Sequence, residues 1–223
     1  MAIRVHGAMF SPPTMRVLAC LHEKGLDYEF VPVDVMGAQE HRNKPFVSIN
    51  PLCKIPGFQD GDLTLFVLHG MLKTFLNRVR KIFPTLVINR NSAESRAITR
   101  YIAHAYPDEG TPLVIIQDTK KMAIVDIWME VEAHQFGPPA EKLAREFWIK
   151  PLLRMATDEA VVKEQEVELA KVLDVYESQL VETKYLCGDT FTLADLHHIP
   201  TLFCLTGTRV EAIIDARPRV RAW

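Results

Sequence analysis

The stretch Asn50-Pro-Leu-Cys-Lys-Ile-Pro-Gly-Phe-Gln-Asp-Gly-Asp-Leu-Thr-Leu-Phe66 decides the fold of this chain. Two short apolar runs stand on either side of an Asp-Gly-Asp turn, which is the pattern of a β-hairpin. The residue before Pro56 is restricted to extended backbone, and this Ile-Pro bond at the entry to a strand is a candidate cis peptide. With that bond in cis, the backbone N–H and C=O of Ile55 would face outward and be available to a peptide-like ligand.

A strand, a helix and a second strand are predicted before the hairpin. Ile3 and Val5 alternate with polar residues, as in a half-buried strand. A helix that begins at Thr14 and is closed by Gly25 follows, and an apolar run at 28–33 gives the second strand. This is a βαβ unit, whose crossover should be right-handed. Together with the hairpin it predicts two parallel and two antiparallel strands, the thioredoxin-like arrangement.

The second half of the chain shows only helical periodicity. Apolar residues recur at helical spacing from Asp118 onward, and Pro138 and Pro139 are predicted to break the first long helix. The fold class is therefore an α/β thioredoxin-like N-terminal domain followed by an all-α bundle. The predicted divisions are a domain at 1–106, a linker at 107–116 and a helical domain at 117–223.

The run Gly188-Asp-Thr-Phe-Thr-Leu-Ala-Asp195 predicts a capped helix start. Thr192 stands at the cap position and Asp195 three residues later, which is the spacing of a capping box. Asp195 is therefore given a structural role and not that of a catalytic acid. His197 and His198 are adjacent and share no face with another histidine at ligand spacing, so no metal site is predicted.

Composition excludes several classes of function. The 223 residues carry a formal net charge of -2, so no nucleic-acid partner is expected. The four cysteines show no C-x-x-C spacing, which favours a reducing compartment, the cytosol. The N-terminus lacks the apolar core of a signal peptide, and no apolar run is long enough to predict a membrane span.

The proline turn and hairpin, followed later by Glu94-Ser-Arg-Ala-Ile98, resemble the glutathione site of a glutathione transferase. Among the classes of this family, these motifs most resemble those of the plant phi class. The run 188–195 is similar to the folding signature of the same family, and the run 130–136 resembles the phi-class helix that borders the electrophile site. The resemblance implies a cytoplasmic homodimer that conjugates glutathione to small hydrophobic electrophiles in detoxification and stress response. Reduction of organic hydroperoxides is a secondary expectation.

The resemblance assigns the catalytic role to Ser11, which aligns with the phi-class serine whose hydroxyl donates to the glutathione sulfur. Without the family, Ser11 or Thr14 would be read as an ordinary helix cap. Pro12 and Pro13 depart from the family, which has hydroxyl or small residues there more often.

The resemblance also implies the other contacts of glutathione and its co-substrate. Basic groups of the 40–42 run would meet the glycine carboxylate, although alone this run reads as a solvated polar face. Lys54 replaces the usual glutamine and can still donate a hydrogen bond to a carboxylate or carbonyl. The glutathione-binding residues are then His41, Arg42, Lys54, Ile55, Glu94 and Ser95. The electrophile pocket is assigned to Met9, Phe10 and Phe136.

Cys53 stands where the family has glycine, and two interpretations of it are open. Beside Lys54, an exposed thiol would be reactive or glutathionylated. A buried thiol would be inert.

An insertion of 27 residues at 67–93 separates the hairpin from Glu94. It contains five basic residues and no acidic one, with a helical apolar stripe. A helix packed on its own domain, or sequence retained from an irregular transcript, is favoured over membrane contact through 67–83. The family commonly runs on beyond the position of Trp223.

The insertion, Pro12 and Lys54 leave two other hypotheses open. One is a catalytically weak protein that carries small apolar ligands in the same cleft, its glutathione site damaged. The other is an inactive isoform that docks on a membrane or a partner through the basic segment.

Overall fold

The computed structural model of the protein describes residues 2–67 and 94–223, which divide into two compact units. Of the described residues, those up to His22 and those within Leu26–Ile102 form the first unit, and Glu23–Gly25 and Ala103–Trp223 form the second. The predictions made for the insertion lie, from residue 68 onward, outside the described residues.

The first unit is the predicted thioredoxin-like domain. Its sheet has the order β2-β1-β3-β4, with β1 parallel to β2 and antiparallel to β3. The alternation in β1 is confirmed, since Ile3 and Val5 are buried while Arg4 is exposed. The elements are β1 (Ile3–Gly7), α1 (Pro12–Glu23), β2 (Tyr28–Pro32), a 3₁₀ turn (Glu40–Arg42), α2 (Phe46–Ile49), β3 (Gly57–Asp60), β4 (Leu63–Phe66) and α3 (Glu94–Ala105).

The hairpin forms as its sequence predicts. Asp60 pairs with Leu63 across a two-residue turn, and Gly61 takes a φ of 61° there, a conformation that glycine adopts without steric cost. The Ile55–Pro56 bond is cis, as predicted. Lys44–Pro45 is also cis.

Helix α1 begins two residues earlier than predicted, at Pro12. Proline is well suited to a first turn, because its N–H would have no partner inside the helix and its φ is already helical. Val17, Leu18 and Leu21 form the buried face, as their spacing indicates. The helix is followed by Gly25 in the left-handed conformation, where the N–H of Leu26 donates to the carbonyl of Leu21.

The second unit is helical throughout its regular structure. Its core includes fully buried leucines of α7 and an aromatic group around Tyr176. The elements are α4 (Thr119–Val131), a π turn (Glu132–Phe136), α5 (Gly137–Ala144), a second π turn (Arg145–Ile149), α6 (Lys150–Leu152), α7 (Glu159–Gln179), α8 (Leu193–Leu196), α9 (Ile199–Leu205), α10 (Glu211–Asp215) and α11 (Pro218–Ala222).

The predicted break at Pro138 and Pro139 is wrong. The chain stays helical from Thr119 to Leu152, and the residues around the prolines keep right-handed helical dihedrals. A proline lacks the N–H for the ordinary helical bond and crowds the carbonyl four residues earlier. The π turn just before the prolines widens the helix at that point, so the helix continues instead of ending.

The predicted linker at 107–116 lies inside the second unit. Lys24 is buried there, and its ammonium donates to the backbone carbonyls of Thr111 at 3.0 Å and Pro107 at 3.5 Å. The Thr111 N–H in turn donates to the carbonyl of Glu23 at 2.8 Å. These contacts tie the segment to Glu23, the last residue of α1, and to Lys24, which follows it.

The capping box at the start of α8 is confirmed. The Thr192 side chain accepts from the backbone of the first turn, and the Asp195 carboxylate accepts from the Thr192 N–H at 3.0 Å. Within the described ranges, no helix is long and apolar enough to cross a membrane. The same residues hold no group of three or more His, Cys, Asp or Glu side chains arranged to bind a metal ion.

Candidate functional site

Ser11 lies directly before the first turn of α1, at the carboxyl end of β1. Ser11 is only 8% exposed, and its hydroxyl makes no hydrogen bond to another described residue. The N-terminal end of a helix stabilises negative charge. However, Pro12 and Pro13 carry no N–H, so two donors of this helix end are missing. The Ser11 hydroxyl is therefore the main donor that this turn offers to an anion.

The turn before Ser11 is fixed by close packing of Gly7 against Thr14. A Cβ atom added to Gly7 would lie 2.7 Å from the Thr14 hydroxyl oxygen, which is closer than real Cβ atoms approach. Glycine at position 7 thus lets the start of α1 pack on the end of β1. That packing holds the Ser11 backbone in place.

Ser95 lies in the first turn of α3 and is buried. The guanidinium Nη1 of Arg16, on α1, donates to the Ser95 hydroxyl oxygen at 2.9 Å. Because this bond occupies an acceptor site of the oxygen, the Ser95 hydrogen remains available for donation. A nearly fully buried guanidinium beside that hydroxyl also favours an anionic ligand. Sequence reasoning missed Arg16, which only its long-range contact identifies.

Helices α1 and α3 run side by side in the same direction. Arg16 pairs with Ser95, and one turn later the Cys20 thiol lies 3.7 Å from the carbonyl of Thr99. The equal spacing of these pairs means that both helices begin at the same end of the unit. Four residues of helix, about 6 Å, separate Arg16 from the start of α1. Ser11 and Ser95 are therefore at the same end of the first unit.

Glu94 is the first residue of α3. Its side chain, assigned to the glutathione ammonium, lies outside the described residues.

His41, Arg42 and Lys54 are the three basic residues assigned to the carboxylates and amides of glutathione, and we call these three residues the basic cluster. Burial lowers the pKa of His41 below its usual value, and the positive charges of Arg42 and Lys54 lower it further. Lys54 is distant in sequence, yet its charge still acts on His41 in the folded chain. An anion bound there would be stabilised by the charges of Arg42 and Lys54, and by His41 when its imidazole takes up a proton.

The segment that carries Lys54 and Ile55 is held by Asn50, a fully buried residue. The Asn50 amide nitrogen donates to the carbonyl of Lys54 at 2.6 Å and to that of Val67 at 2.9 Å, and its oxygen accepts from Leu52 N–H at 2.8 Å. The backbone of Ile55 makes no hydrogen bond to another residue in the described part of the chain. Its N–H and C=O can therefore bind a ligand.

Cys53 adopts a φ of 57°, in the left-handed region that disfavours residues with a Cβ. We expect Cys53→Gly to raise the free energy of unfolding by about 0.5–1 kcal/mol, because glycine takes this conformation without strain. Equilibrium denaturation in urea would measure the change. Cys53→Ala is the matched control, since it removes the sulfur and keeps the strain; equal stabilisation by both variants would contradict the backbone explanation. The Cys53 thiol is half-buried, between the exposed and the buried case, so the reactivity of this thiol stays a prediction.

The residues assigned to the electrophile side have different environments. Met9 is 61% exposed and Phe10 is half-buried, both in the first unit. Phe136 belongs to the second unit and is fully buried, with its ring stacked at 6.2 Å on Tyr176 and 4.5 Å from the ring of His198. A ring with no exposed surface contributes to the core, so Met9 and Phe10 are the better candidates for substrate contact.

Comparisons with known proteins identify the family of this chain. A model of the glutathione S-transferase N-terminal domain matches residues 1–66, and one of the C-terminal domain matches residues 122–223. Glutathione S-transferase PARB from Nicotiana tabacum is 52% identical over 223 residues, covering 100% of this chain and 91% of the relative.

Solved structures give the same result. Glutathione transferase F7 from Populus trichocarpa superposes with a TM-score of 0.84 at 38% identity, covering 100% of this chain and 91% of that one. Glutathione S-transferase I from maize, in complex with an atrazine glutathione conjugate, gives a TM-score of 0.80 at 34% identity, covering 100% and 90%. The chain belongs to the glutathione S-transferase family.

Proposed function

We propose that the protein conjugates glutathione, as co-substrate, to small hydrophobic electrophiles. The observation that carries the proposal is the parallel pairing of α1 and α3, with Arg16 bonded to Ser95 and the Ser11 hydroxyl uncommitted at the same end. The two ends of one tripeptide would then lie at Ser95 and Ser11. The glycine carboxylate would lie at the basic cluster of His41, Arg42 and Lys54.

In this proposal Ser11 activates the thiol by stabilising its anion. A free thiol has a pKa of about 8.5, and lowering it by about two units requires roughly 2.7 kcal/mol of preferential stabilisation of the thiolate. One hydroxyl hydrogen bond to a charged acceptor supplies about 1.5–3 kcal/mol. Ionisation releases the thiol proton to solvent. In a substitution, the sulfur then forms a bond to carbon as the leaving group departs with its bonding electrons; in an addition, the electrons of the opened double bond take up a proton from solvent.

The other groups hold the tripeptide. The Ile55 backbone would pair with the peptide backbone of glutathione. The Ser95 hydroxyl would donate to the glutamyl carboxylate beside the buried Arg16 charge, and Glu94 is assigned to the ammonium group. Met9 and Phe10 would contact the apolar electrophile.

We expect Ser95→Ala to raise the KM for glutathione by about tenfold, because a hydrogen bond to a carboxylate is lost. The kcat at saturating glutathione should change little, since the interaction is made equally before and during reaction. Steady-state kinetics with a general aromatic electrophile would measure both constants. Ser48→Ala, on an exposed residue of α2, is the matched control. If Ser95→Ala had the same KM for glutathione as Ser48→Ala, the glutamyl end of glutathione would bind away from Ser95.

A rise in the thermal unfolding midpoint on adding glutathione tests the proposal most simply, because a ligand that prefers the folded form must stabilise it. Binding without turnover would favour the ligand-carrier hypothesis. Neither binding nor turnover would indicate an inactive relative.

We propose in addition that the working form is a cytosolic homodimer. In the part of the chain that the structure describes, none of the four cysteines forms a disulfide, which suits a reducing compartment. Helix α4 exposes Ile124 and Ile127, apolar side chains that a partner subunit would cover. Sedimentation equilibrium would return twice the chain mass, and a monomer at all concentrations would contradict the assignment.

A further inference from the structure

The loop that precedes the basic cluster, residues 34–40, is closed on itself by two carboxylates. The Asp34 carboxylate accepts three backbone N–H groups, from Met36 at 3.0 Å and from Gly37 and Ala38 at 2.8 Å each. Charged acceptors make stronger hydrogen bonds than neutral ones. These bonds lower the pKa of the Asp34 carboxyl, so it is ionised at neutral pH.

The second carboxylate ties the end of the loop to its beginning. The Glu40 side chain accepts from the Asp34 N–H at 2.8 Å, and the Glu40 N–H donates to the Asp34 carbonyl at 2.7 Å. Gly37 fits closely, because a Cβ there would lie 2.7 Å from the Asp34 carboxylate. The loop therefore has one well-defined path.

This path determines the position of His41 and Arg42, the two members of the basic cluster that follow the loop. Glu40 begins the 3₁₀ turn that contains His41 and Arg42, and the N–H of Arg42 donates to the carbonyl of Gln39 at 2.9 Å. The loop thus ends directly in the two basic residues that the proposed function assigns to the glycine carboxylate. The charged groups that act on His41 are Arg42, Lys54 and Asp34 itself.

We infer that Asp34 is a positioning residue for glutathione binding: it folds loop 34–40 so that His41 and Arg42 face the glycine carboxylate together with Lys54. The inference rests on the proposed function and adds a residue to it. Asp34 does not touch the ligand and acts through the loop. It also supplies a negative charge that favours protonated His41.

The test uses S-methylglutathione, whose sulfur cannot ionise, so that the thiol does not contribute to the pH dependence. We expect Asp34→Ala to raise its Kd about tenfold at neutral pH, since three charge-assisted hydrogen bonds that shape the loop are lost. Asp27→Ala removes the same charge from an exposed position of the first unit and should change Kd less than about twofold. Calorimetric titration of the full-length protein gives both values.

The pH profile separates positioning from a general loss of structure. A carboxylate bound beside His41 favours its charged form, so binding takes up a proton and tightens as pH falls. Removing the Asp34 charge lowers the pKa of His41 further, which moves the inflection of Kd to lower pH in Asp34→Ala. Asp27→Ala should leave the inflection where it is in the unmodified protein.

Asp34→Asn provides a variant closer to the native loop. Its amide oxygen can still accept from Met36 and Gly37, whereas its NH₂ group faces the N–H of Ala38. We expect a Kd between those of the unmodified protein and Asp34→Ala. A Kd and an inflection equal to those of Asp27→Ala, in either Asp34 variant, would overturn the inference while leaving the proposed function intact. No binding of S-methylglutathione by the unmodified protein would overturn both.

Discussion

Replacing Ser11 with alanine is expected to lower kcat/KM for conjugation by roughly 10- to 100-fold, the kinetic equivalent of one hydrogen bond to a charged acceptor. The loss should be large in this chain because Pro12 and Pro13 provide no N–H at the start of α1. Little remains at that helix end to stabilise the thiolate when the hydroxyl is gone. The loss should also shrink as pH rises, because glutathione then ionises without assistance.

Steady-state kinetics with a general aromatic electrophile between neutral and alkaline pH would measure this effect. Ser48→Ala is again the matched control, since Ser48 is exposed and on the same unit. A Ser11→Ala enzyme within about twofold of that control at every pH would mean that another group stabilises the sulfur.

The largest effect on stability is expected for Asp195→Ala. The buried Asp195 carboxylate accepts four hydrogen bonds, from the N–H of Leu186 at 3.0 Å, the indole of Trp223 at 2.9 Å, and the N–H and hydroxyl of Thr192 at 3.0 and 3.2 Å. Alanine would leave these donors without a partner in the core and remove half of the capping box. The free energy of unfolding should fall by at least about 3 kcal/mol.

Urea denaturation followed by circular dichroism would measure the loss. Asp189→Ala is the matched control, because Asp189 is exposed in the same connecting segment and should change stability by less than about 0.5 kcal/mol. Asp195→Asn keeps the shape and one acceptor oxygen, so its loss should be intermediate. If Asp195→Ala and Asp189→Ala unfold at the same urea concentration, the capping box contributes nothing to the fold.

The elements that sequence predicted correctly depend on local chemistry. The hairpin follows from the Asp-Gly-Asp turn, the left-handed Gly25 follows from the end of the apolar stripe of α1, and the capping box from the spacing of Thr192 and Asp195. Each signal lies within a few residues of the structure it specifies. Such signals can be recognised in a single sequence, because the structure they specify needs no contact with a distant residue.

The errors and omissions depend on distant partners or on helix plasticity. Pro138 and Pro139 do not end the helix, because a π turn precedes them. Phe136 is assigned to the electrophile pocket by the family resemblance, and its burial against Tyr176 and His198 depends on contacts that a single sequence does not show. Arg16 and Asn50 gained their roles from contacts with Ser95 and Val67, which a single sequence does not show.

The site itself was predictable only in part from its residues. Ser11 read as a helix cap until the family resemblance assigned it to the sulfur, and the 40–42 run read as a solvated surface. The structure adds that the charges of Arg42 and Lys54 act on His41 and that Ser95 is bonded to a buried arginine. Neither relation has a local sequence signature.

The central claim is that one glutathione molecule bound at Ser95 presents its sulfur to the Ser11 hydroxyl. Ultraviolet difference titration of the thiolate in the binary complex tests it directly, because it reports the pKa of the bound thiol without an electrophile. We expect a thiol pKa roughly two units below the free value of about 8.5, returning toward that value in Ser11→Ala. A bound thiol that titrates at the free value in the unmodified protein would contradict it.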